Sequence, residues 1–285
     1  MKLSVSSYSF SQYTRAGKMT QSDCVEKAHE LGFDAVEFTD IAGENYDEQI
    51  KNARDIRERA DKIGIEINAY TIGACLYNET EDKNRAEIER LKKQLDIAKI
   101  LGAKVMRHDV CYKLEKSGNA RSFDLMLPVI AKNAREITEY AQTLGIKTCS
   151  ENHGFIAQDS DRVERLFNAV NHDNYGLLVD MGNFLCAGED PVSAVSRVAP
   201  YAVHAHAKDA VISDYPISGA FMTRNGRYFK GCVIGEGCVP VARCIAILKN
   251  AGYDGFLSLE YEGTEDCIEG IRRGLENLKM FISKF

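Results

Sequence analysis

The chain has 285 residues, of which 45% are hydrophobic and 27% are charged, a composition that excludes extended disorder and predicts a packed core. Its 36 Lys and Arg against 42 Asp and Glu give a formal net charge of −6, which argues against binding to the phosphate backbone of nucleic acid. We find neither the roughly 20 apolar residues of a membrane span nor the apolar stretch of a signal peptide. We therefore expect a cytoplasmic protein with no nucleic-acid or membrane partner.

A helix-to-strand junction recurs five times along the chain. An amphipathic helical pattern ends in a small or aliphatic residue plus glycine, and a short apolar strand follows. The strands predicted after these junctions are residues 33–38, 65–69, 103–106, 146–149 and 256–259, and three more are predicted at 3–8, 176–179 and 202–207. A last amphipathic pattern, from Ile268 to Ile282, predicts a closing helix.

Strands that alternate with helices predict parallel pairing through right-handed crossovers, in either an open doubly wound sheet or a closed barrel. Eight units favour the barrel, and no G-x-G-x-x-G follows a strand. No linker rich in Pro, Gly or Ser divides the chain. We therefore predict an α/β protein, a single (β/α)8 TIM-barrel domain over residues 1–285, with a long loop, which could contain a short hairpin, at about 210–240.

Nine cysteines are scattered from Cys24 to Cys267 with no C-x-x-C pair. An odd number without paired spacing is typical of reduced, buried thiols rather than of a disulfide framework or a thiolate zinc site. We expect these thiols to be inert.

Polar side chains stand where the predicted strands end, which is the functional end of a parallel barrel. Because alternate side chains of a strand face opposite sides, the last four strands direct Glu151, Asp180, His206 and Glu260 at one region. Three carboxylates in one place would repel one another and take up protons unless a cation lies among them. This mainly oxygen set suits Mn²⁺, Mg²⁺ or Co²⁺ and is compatible with Zn²⁺. We predict one divalent metal ion here.

The same residue types also have ordinary structural explanations. A single Glu at a strand end is usually solvated, and a single His is usually a hydrogen-bonded structural group, so the metal prediction depends on the convergence of all four. His204 lies one pleat deeper than His206 and is predicted to be structural. Asn183 either binds the substrate or the water of the ion, or turns the loop.

Five short segments together carry a resemblance to a known family. They are Ser-Glu-Asn-His-Gly at 150–154, Asp-Met-Gly-Asn-Phe at 180–184, His-Ala-His-Ala-Lys-Asp at 204–209, Gly-Glu-Gly at 235–237 and Glu-Tyr-Glu at 260–262. In order and spacing they resemble the sugar phosphate isomerase/epimerase superfamily, whose fold is the xylose isomerase-like TIM barrel.

The resemblance implies that the four residues above bind one divalent ion and that Glu151 and Glu260 face each other across the substrate as the catalytic pair. In ketose epimerases of the superfamily, such a pair removes a proton beside the carbonyl and returns one from the other side. The resemblance also implies substrate contacts by a further group, which comprises Glu37, His108, His153, Lys208 and Asp209, and many relatives have His where this chain has Asn183. Association into a homo-oligomer is common in such barrels.

The predicted function is that of a divalent-metal-dependent sugar isomerase or epimerase. It would act on a small polyhydroxylated carbonyl compound by proton transfer through an enediolate. Two alternatives stay open. One is a lyase similar to inosose dehydratase, which removes water after the same first proton transfer, and the other is a non-catalytic sugar-binding barrel.

Overall fold

A computed structural model of the protein describes residues 1–112 and 121–285. Eight strands there close into a parallel barrel, which confirms the predicted fold: β1 (Lys2–Ser6), β2 (Ala35–Thr39), β3 (Glu66–Ile72), β4 (Val105–His108), β5 (Lys147–Glu151), β6 (Tyr175–Asp180), β7 (Ala202–Ala207) and β11 (Phe256–Leu259). The last of them pairs with both β1 and β7, and this pairing closes the barrel.

Most of the helices surround the barrel on its outer face, whereas the short α1 and α7 lie at its mouth. Those in the described ranges are α1 (Ser11–Arg15), α2 (Asp23–Leu31), α3 (Tyr46–Ile63), α4 (Glu81–Leu101), α5 (Phe123–Leu144), α6 (Ser160–Val170), α7 (Asn183–Ala187), α8 (Pro191–Val198), α9 (Val241–Asn250) and α10 (Cys267–Ile282), with 3-10 turns at Ser7–Phe10 and Ala199–Tyr201. The predicted junctions are present. Gly32 (φ 85°) and Gly145 (φ 71°) end α2 and α5 in the left-handed conformation that glycine adopts most readily.

The first strand is shorter than predicted. The sequence pattern extends it to Tyr8, but β1 ends at Ser6, whose hydroxyl accepts a hydrogen bond from the Tyr8 N–H (3.4 Å). This cap begins the 3-10 turn, which carries Tyr8 out of the barrel wall and to the mouth of the barrel.

The long segment after β7 contains a small sheet of its own. Strands β8 (Ala210–Ser213), β9 (Phe221–Met222) and β10 (Tyr228–Gly231) pair antiparallel in the order β8-β10-β9. The predicted loop is therefore partly ordered by three strands rather than by a single hairpin. Among the helices of residues 1–112 and 121–285, none is long and apolar enough to cross a membrane.

Polar side chains fill much of the barrel interior beneath the mouth. Asn68 Nδ2 donates to Ser4 Oγ (3.1 Å), and Glu37 accepts a hydrogen bond from His204 (2.5 Å). Bulky branched residues usually occupy these layers of a TIM barrel. The apolar core of this protein lies instead between the strands and the helices, where α5, for example, buries Ile130 and Ile137.

Candidate active site

The structure brings the four predicted metal ligands together. One oxygen or nitrogen atom from each of Glu151, Asp180, His206 and Glu260 lies within 4.8 Å of the other three. The side chains are buried, with exposed fractions between 0% and 7%. They stand at the carboxyl ends of β5, β6, β7 and β11, because the two-residue period of each strand turns them to the same side.

The imidazole of His206 is oriented for a cation. Its Nε2 lies 3.0 Å from Glu37 Oε2 and donates its hydrogen there, so Nδ1 is the nitrogen that would bind a cation. Nδ1 faces Glu260 (3.5 Å), Asp180 (3.7 Å) and Glu151 (3.9 Å). Neither His206 Nδ1 nor Asp180 Oδ2 makes a hydrogen bond within the described residues. Buried atoms that make no hydrogen bond and face one another in this way are suited to binding a metal ion.

The backbone around Asp180 fixes its carboxylate. Asp180 Oδ1 accepts the N–H groups of Gly182 and Asn183, both at 2.8 Å. The side chain of Asn152 bonds both the N–H and the carbonyl of Asp180, at 2.9 Å each. One carboxylate oxygen is therefore held by the turn while Oδ2 is left for another partner.

Asn183 does more than turn the loop. Its Nδ2 donates to Glu151 Oε1 (2.9 Å), and its Oδ1 accepts from Lys208 Nζ (3.3 Å). The amide thus connects two predicted site residues, while its backbone N–H belongs to the Asp180 turn. The structure shows the turn, and the contact with substrate or with the water of the ion stays a prediction for a side chain that lines the cavity.

Lys208 brings a buried positive charge to the cluster. Its Nζ lies 2.6 Å from Glu260 Oε2, 3.4 Å from Asp180 Oδ2 and 3.3 Å from Glu262 Oε1. Burial disfavours the ammonium, but these carboxylates outweigh burial and hold the pKa of Lys208 well above its ordinary value. For Glu260, burial likewise opposes ionisation, and Lys208 with His206 holds its pKa well below the ordinary value.

Arg107 supplies a second buried cation, which the sequence analysis did not assign to the site. Its guanidinium forms an ion pair with Glu151, lies 3.2 Å from Asp109 Oδ1 and donates to the carbonyl of Ile72 (3.0 Å). Although burial disfavours its charge, Glu151 and Asp109 raise the pKa of Arg107. Strand alternation could have identified it. Of the adjacent residues Arg107 and His108 on β4, only one can face the interior of the barrel.

His153 lines the cavity, and the carboxylate of Asp109 contacts its ring. Its Nδ1 lies 2.9 Å from Asp109 Oδ1, which fixes the ring and leaves Nε2 free to face a ligand. Burial lowers the pKa of His153, but Asp109 outweighs that effect and raises it. Asp109 was not predicted, because the fourth strand was predicted to stop at residue 106 and its alternation was not followed as far as residue 109.

Two of the predicted substrate contacts lie away from the cavity. Glu37 is fully buried beneath His206 and accepts hydrogen bonds from both His204 and His206, so it supports the site from below. His204 has the structural role that its depth predicted. His108 faces the helices, because Arg107 takes the inward position on β4, and its ring lies 6.3 Å from that of Tyr175.

Asp209 is a third predicted substrate contact that lies away from the cavity, at the start of the long loop. Its carboxylate accepts the backbone N–H groups of Gly235, Gly237 and Val239, each at 2.9 Å, and that of Ala210 at 2.8 Å. Both oxygens are thereby used, and the side chain is 1% exposed. Asp209 therefore ties the two ends of the loop together rather than facing a substrate.

A cavity of about 410 Å³ opens above the cluster. Its polar lining includes His153, Asn183, Lys208 and Glu262, and Tyr8, Tyr112, Phe155, Phe221 and Tyr261 supply aromatic walls. Loops carry most of these aromatic residues, which explains why strand periodicity did not identify them. The volume suits a small ligand.

Comparisons with known proteins agree with this architecture. The chain is 24% identical over 254 residues to YihM of Escherichia coli (strain K12), an uncharacterised protein, covering 89% of this chain and 70% of YihM. It is 23% identical over 263 residues to the inosose dehydratase of Lacticaseibacillus casei, covering 85% and 86%. The match to the inosose dehydratase of Clostridium beijerinckii is 24% identical over 141 residues and covers about half of each chain, 47% and 46%.

Solved structures share the fold over nearly the whole chain. D-psicose 3-epimerase from Clostridium cellulolyticum H10 superposes with a TM-score of 0.77 at 15% identity, covering 99% of each chain. The IOLI protein with a zinc atom gives 0.77 at 20% identity, covering 100% of this chain and 99% of that chain. The probable 3-DHS dehydratase AsbF from Bacillus anthracis gives 0.76 at 21% identity, covering 98% and 99%.

A family model described as the xylose isomerase-like TIM barrel matches residues 25–281. This match covers most of the chain, from α2 to α10, and includes every residue of the four-ligand cluster. The expected resemblance is confirmed, and the chain belongs to the xylose isomerase-like TIM barrel family.

Proposed function

We propose that this protein is a divalent-metal-dependent sugar isomerase or epimerase. One observation carries the proposal: two buried carboxylates in one cluster are each paired with a separate buried cation, Glu151 with Arg107 and Glu260 with Lys208. Lys208 with His206 favours the ionised form of Glu260, and the two ion pairs orient both carboxylates within one cluster, where a base would take a proton.

The residues of the cluster have separate proposed roles. Glu151, Asp180, His206 and Glu260 would hold the ion, which would polarise the carbonyl of a bound polyhydroxylated compound. One glutamate, Glu151 or Glu260, would take the proton from the carbon beside the carbonyl with its carboxylate. The other, first protonated by solvent water, would return a proton to that carbon or its neighbour, and the first would release its proton to solvent. The IOLI protein with its zinc atom and D-psicose 3-epimerase support this assignment by likeness of fold.

A dehydratase is the second candidate, and the His153 and Asp109 pair favours it. Loss of water beside a carbonyl needs an acid that protonates the departing hydroxyl. His153 borders the cavity, and Asp109 raises its pKa, so a protonated imidazole is available for that step. The inosose dehydratases among the relatives support the same candidate.

One experiment separates the candidates. The Mn²⁺-loaded protein is incubated in D₂O with D-psicose, D-tagatose, D-fructose or an inosose, and the products are followed by NMR. We expect deuterium at the carbon beside the carbonyl with no loss of water. Loss of water would instead establish the lyase, and an isomerised product without solvent deuterium would establish a hydride shift.

Two variants, Glu151→Gln and Glu260→Gln, test the proposed acid-base pair. Each removes a carboxylate that takes or returns the proton, so we expect turnover to fall at least ~100-fold, the lower end of general acid-base contributions. The control is Glu136→Gln on the outer side of α5, which should keep wild-type turnover. Unchanged turnover in both site variants would overturn the proposal.

A further inference from the structure

Two cysteines meet beside the barrel mouth. Cys75 lies in the loop after β3, Cys111 lies in the loop after β4, and their Sγ atoms are 3.1 Å apart. Cys75 is partly exposed, whereas Cys111 is 1% exposed. A disulfide bond is about 2.05 Å long, so joining the sulfur atoms requires an approach of roughly 1 Å.

Hydrogen bonds on either side of the pair fix the spacing of the two loops. The N–H of Leu76, the residue after Cys75, donates to the carbonyl of Val110, the residue before Cys111 (2.6 Å). The N–H of Cys75 donates to Glu87 Oε1 on α4 (3.0 Å). These hydrogen bonds hold the backbones of the two loops in contact at the cysteines.

Cys75 also differs chemically from the other buried cysteines. Hydrogen bonding between the two thiols lowers the pKa of Cys75 to about 7, against the opposing effect of burial. Burial instead raises the pKa of Cys24, Cys186 and Cys244 to about 12. The lowered pKa favours the thiolate of Cys75, which is the form that reacts with disulfides.

We propose that Cys75 and Cys111 form a site of reversible oxidation, where a low-molecular-weight disulfide converts the two thiols into an intramolecular disulfide. The Cys75 thiolate attacks one sulfur of the reagent, whose S–S bond breaks and releases one thiolate. Cys111 gives its proton to solvent and attacks Cys75 Sγ, which releases the second thiolate. The protein loses two electrons, and the reagent is reduced to two thiols.

The bond would tie the β3–α4 loop to a wall of the cavity. Cys111 precedes Tyr112, whose ring lies 5.5 Å from that of His153 and whose carbonyl accepts the N–H of Phe155 (2.6 Å). The cysteines are separate from the four-ligand cluster, so the inference is independent of the proposed catalytic function. The sequence analysis did not single out this pair, because 36 residues of sequence separate two sulfur atoms that the fold brings together.

The test uses the folded protein with Cys238→Ser, which removes an exposed thiol, and oxidised glutathione at pH 7.5. We expect an intact mass lower by two hydrogens, a peptide map that links Cys75 to Cys111, and reversal by dithiothreitol. The same protein with Cys111→Ala should stop at one glutathionyl group on Cys75. Absence of the link, or a first modification at another cysteine, would overturn the proposal.

A second measurement needs no cross-link. The rate of Cys75 alkylation by iodoacetamide is followed against pH by peptide mass spectrometry. We expect an apparent pKa of about 7 in the wild type and a higher one, toward the ordinary 9.0, in Cys111→Ala. Identical profiles in the two proteins would show that Cys111 does not activate Cys75, and the proposal would fail.

Discussion

The carboxylate of Glu37 lies directly behind the imidazole of His206, with Glu37 Oε2 3.0 Å from His206 Nε2. The same oxygen is 2.5 Å from His204 Nε2. A carboxylate behind a ligating imidazole fixes the tautomer and raises the basicity of the nitrogen that faces the metal. Glu37 would therefore act on the proposed metal ion through His206.

Glu37→Gln tests this relationship. The amide keeps the shape of the side chain but loses the charge, so we expect affinity for Mn²⁺ or Zn²⁺ to fall about 10–100-fold. Competition with a fluorescent chelator measures the change. Glu136→Gln makes the same chemical replacement outside the barrel and should leave affinity unaltered. Equal affinity in all three proteins would contradict the role of Glu37.

Replacement of Asn183 should destabilise the site. In Asn183→Leu, Glu151 loses a hydrogen-bond donor and Lys208 loses an acceptor, so the metal-free protein should lose about 1–3 kcal/mol of unfolding free energy. Urea denaturation after chelation measures it. The exposed Asn250 on α9 provides the comparison, since Asn250→Leu should change stability by no more than about 0.5 kcal/mol. Equal losses in the two variants would refute a specific role for the amide.

The loop anchored by Asp209 should loosen when the carboxylate is removed. In Asp209→Ala the N–H groups of Gly235, Gly237 and Val239 lose their acceptor, and we expect a loss of at least about 2 kcal/mol of unfolding free energy. Hydrogen exchange should accelerate at these amides, while metal affinity stays unchanged. Unaltered hydrogen exchange together with a higher KM would contradict the anchoring role and would show that Asp209 contacts the substrate.

The four-ligand cluster was predictable because each ligand lies within one residue of the end of its strand, where the period of two decides which side it faces. The ends of the strands were predicted less accurately. The fourth strand was predicted to stop at residue 106 but continues to His108, so the sequence analysis did not ask whether Arg107 or His108 faces the interior of the barrel. The same early end hid Asp109, one residue after β4, whereas Tyr112 lies farther along the loop, where the strand period does not apply. The small sheet escaped prediction because strands of two to four residues are too short for a periodic signal.

The interface between α4 and α5 provides a pH-dependent prediction. Hydrogen bonds from Arg85 (2.6 Å) and Lys92 (2.9 Å) lower the pKa of Glu136 from 4.5 to about 2. A lowered native pKa stabilises the fold above the ordinary pKa, and this contribution disappears as the pH falls toward the native one. Glu136→Gln should therefore lose about 1 kcal/mol at pH 7, and the difference should shrink between pH 4.5 and 2. A difference that is constant with pH in urea denaturation would contradict the assignment.

Calorimetric titration of chelator-treated protein with Mn²⁺, Mg²⁺, Co²⁺ and Zn²⁺ tests the central claim most directly, with Asp180→Asn as the site variant and Asp214→Asn, on the exposed loop, as its control. We expect at least one of these ions to bind the wild type and Asp214→Asn at one site per chain, and to bind Asp180→Asn at least ~10-fold more weakly. Wild-type protein that binds none of the four ions, or equal binding by Asp180→Asn, would contradict the account.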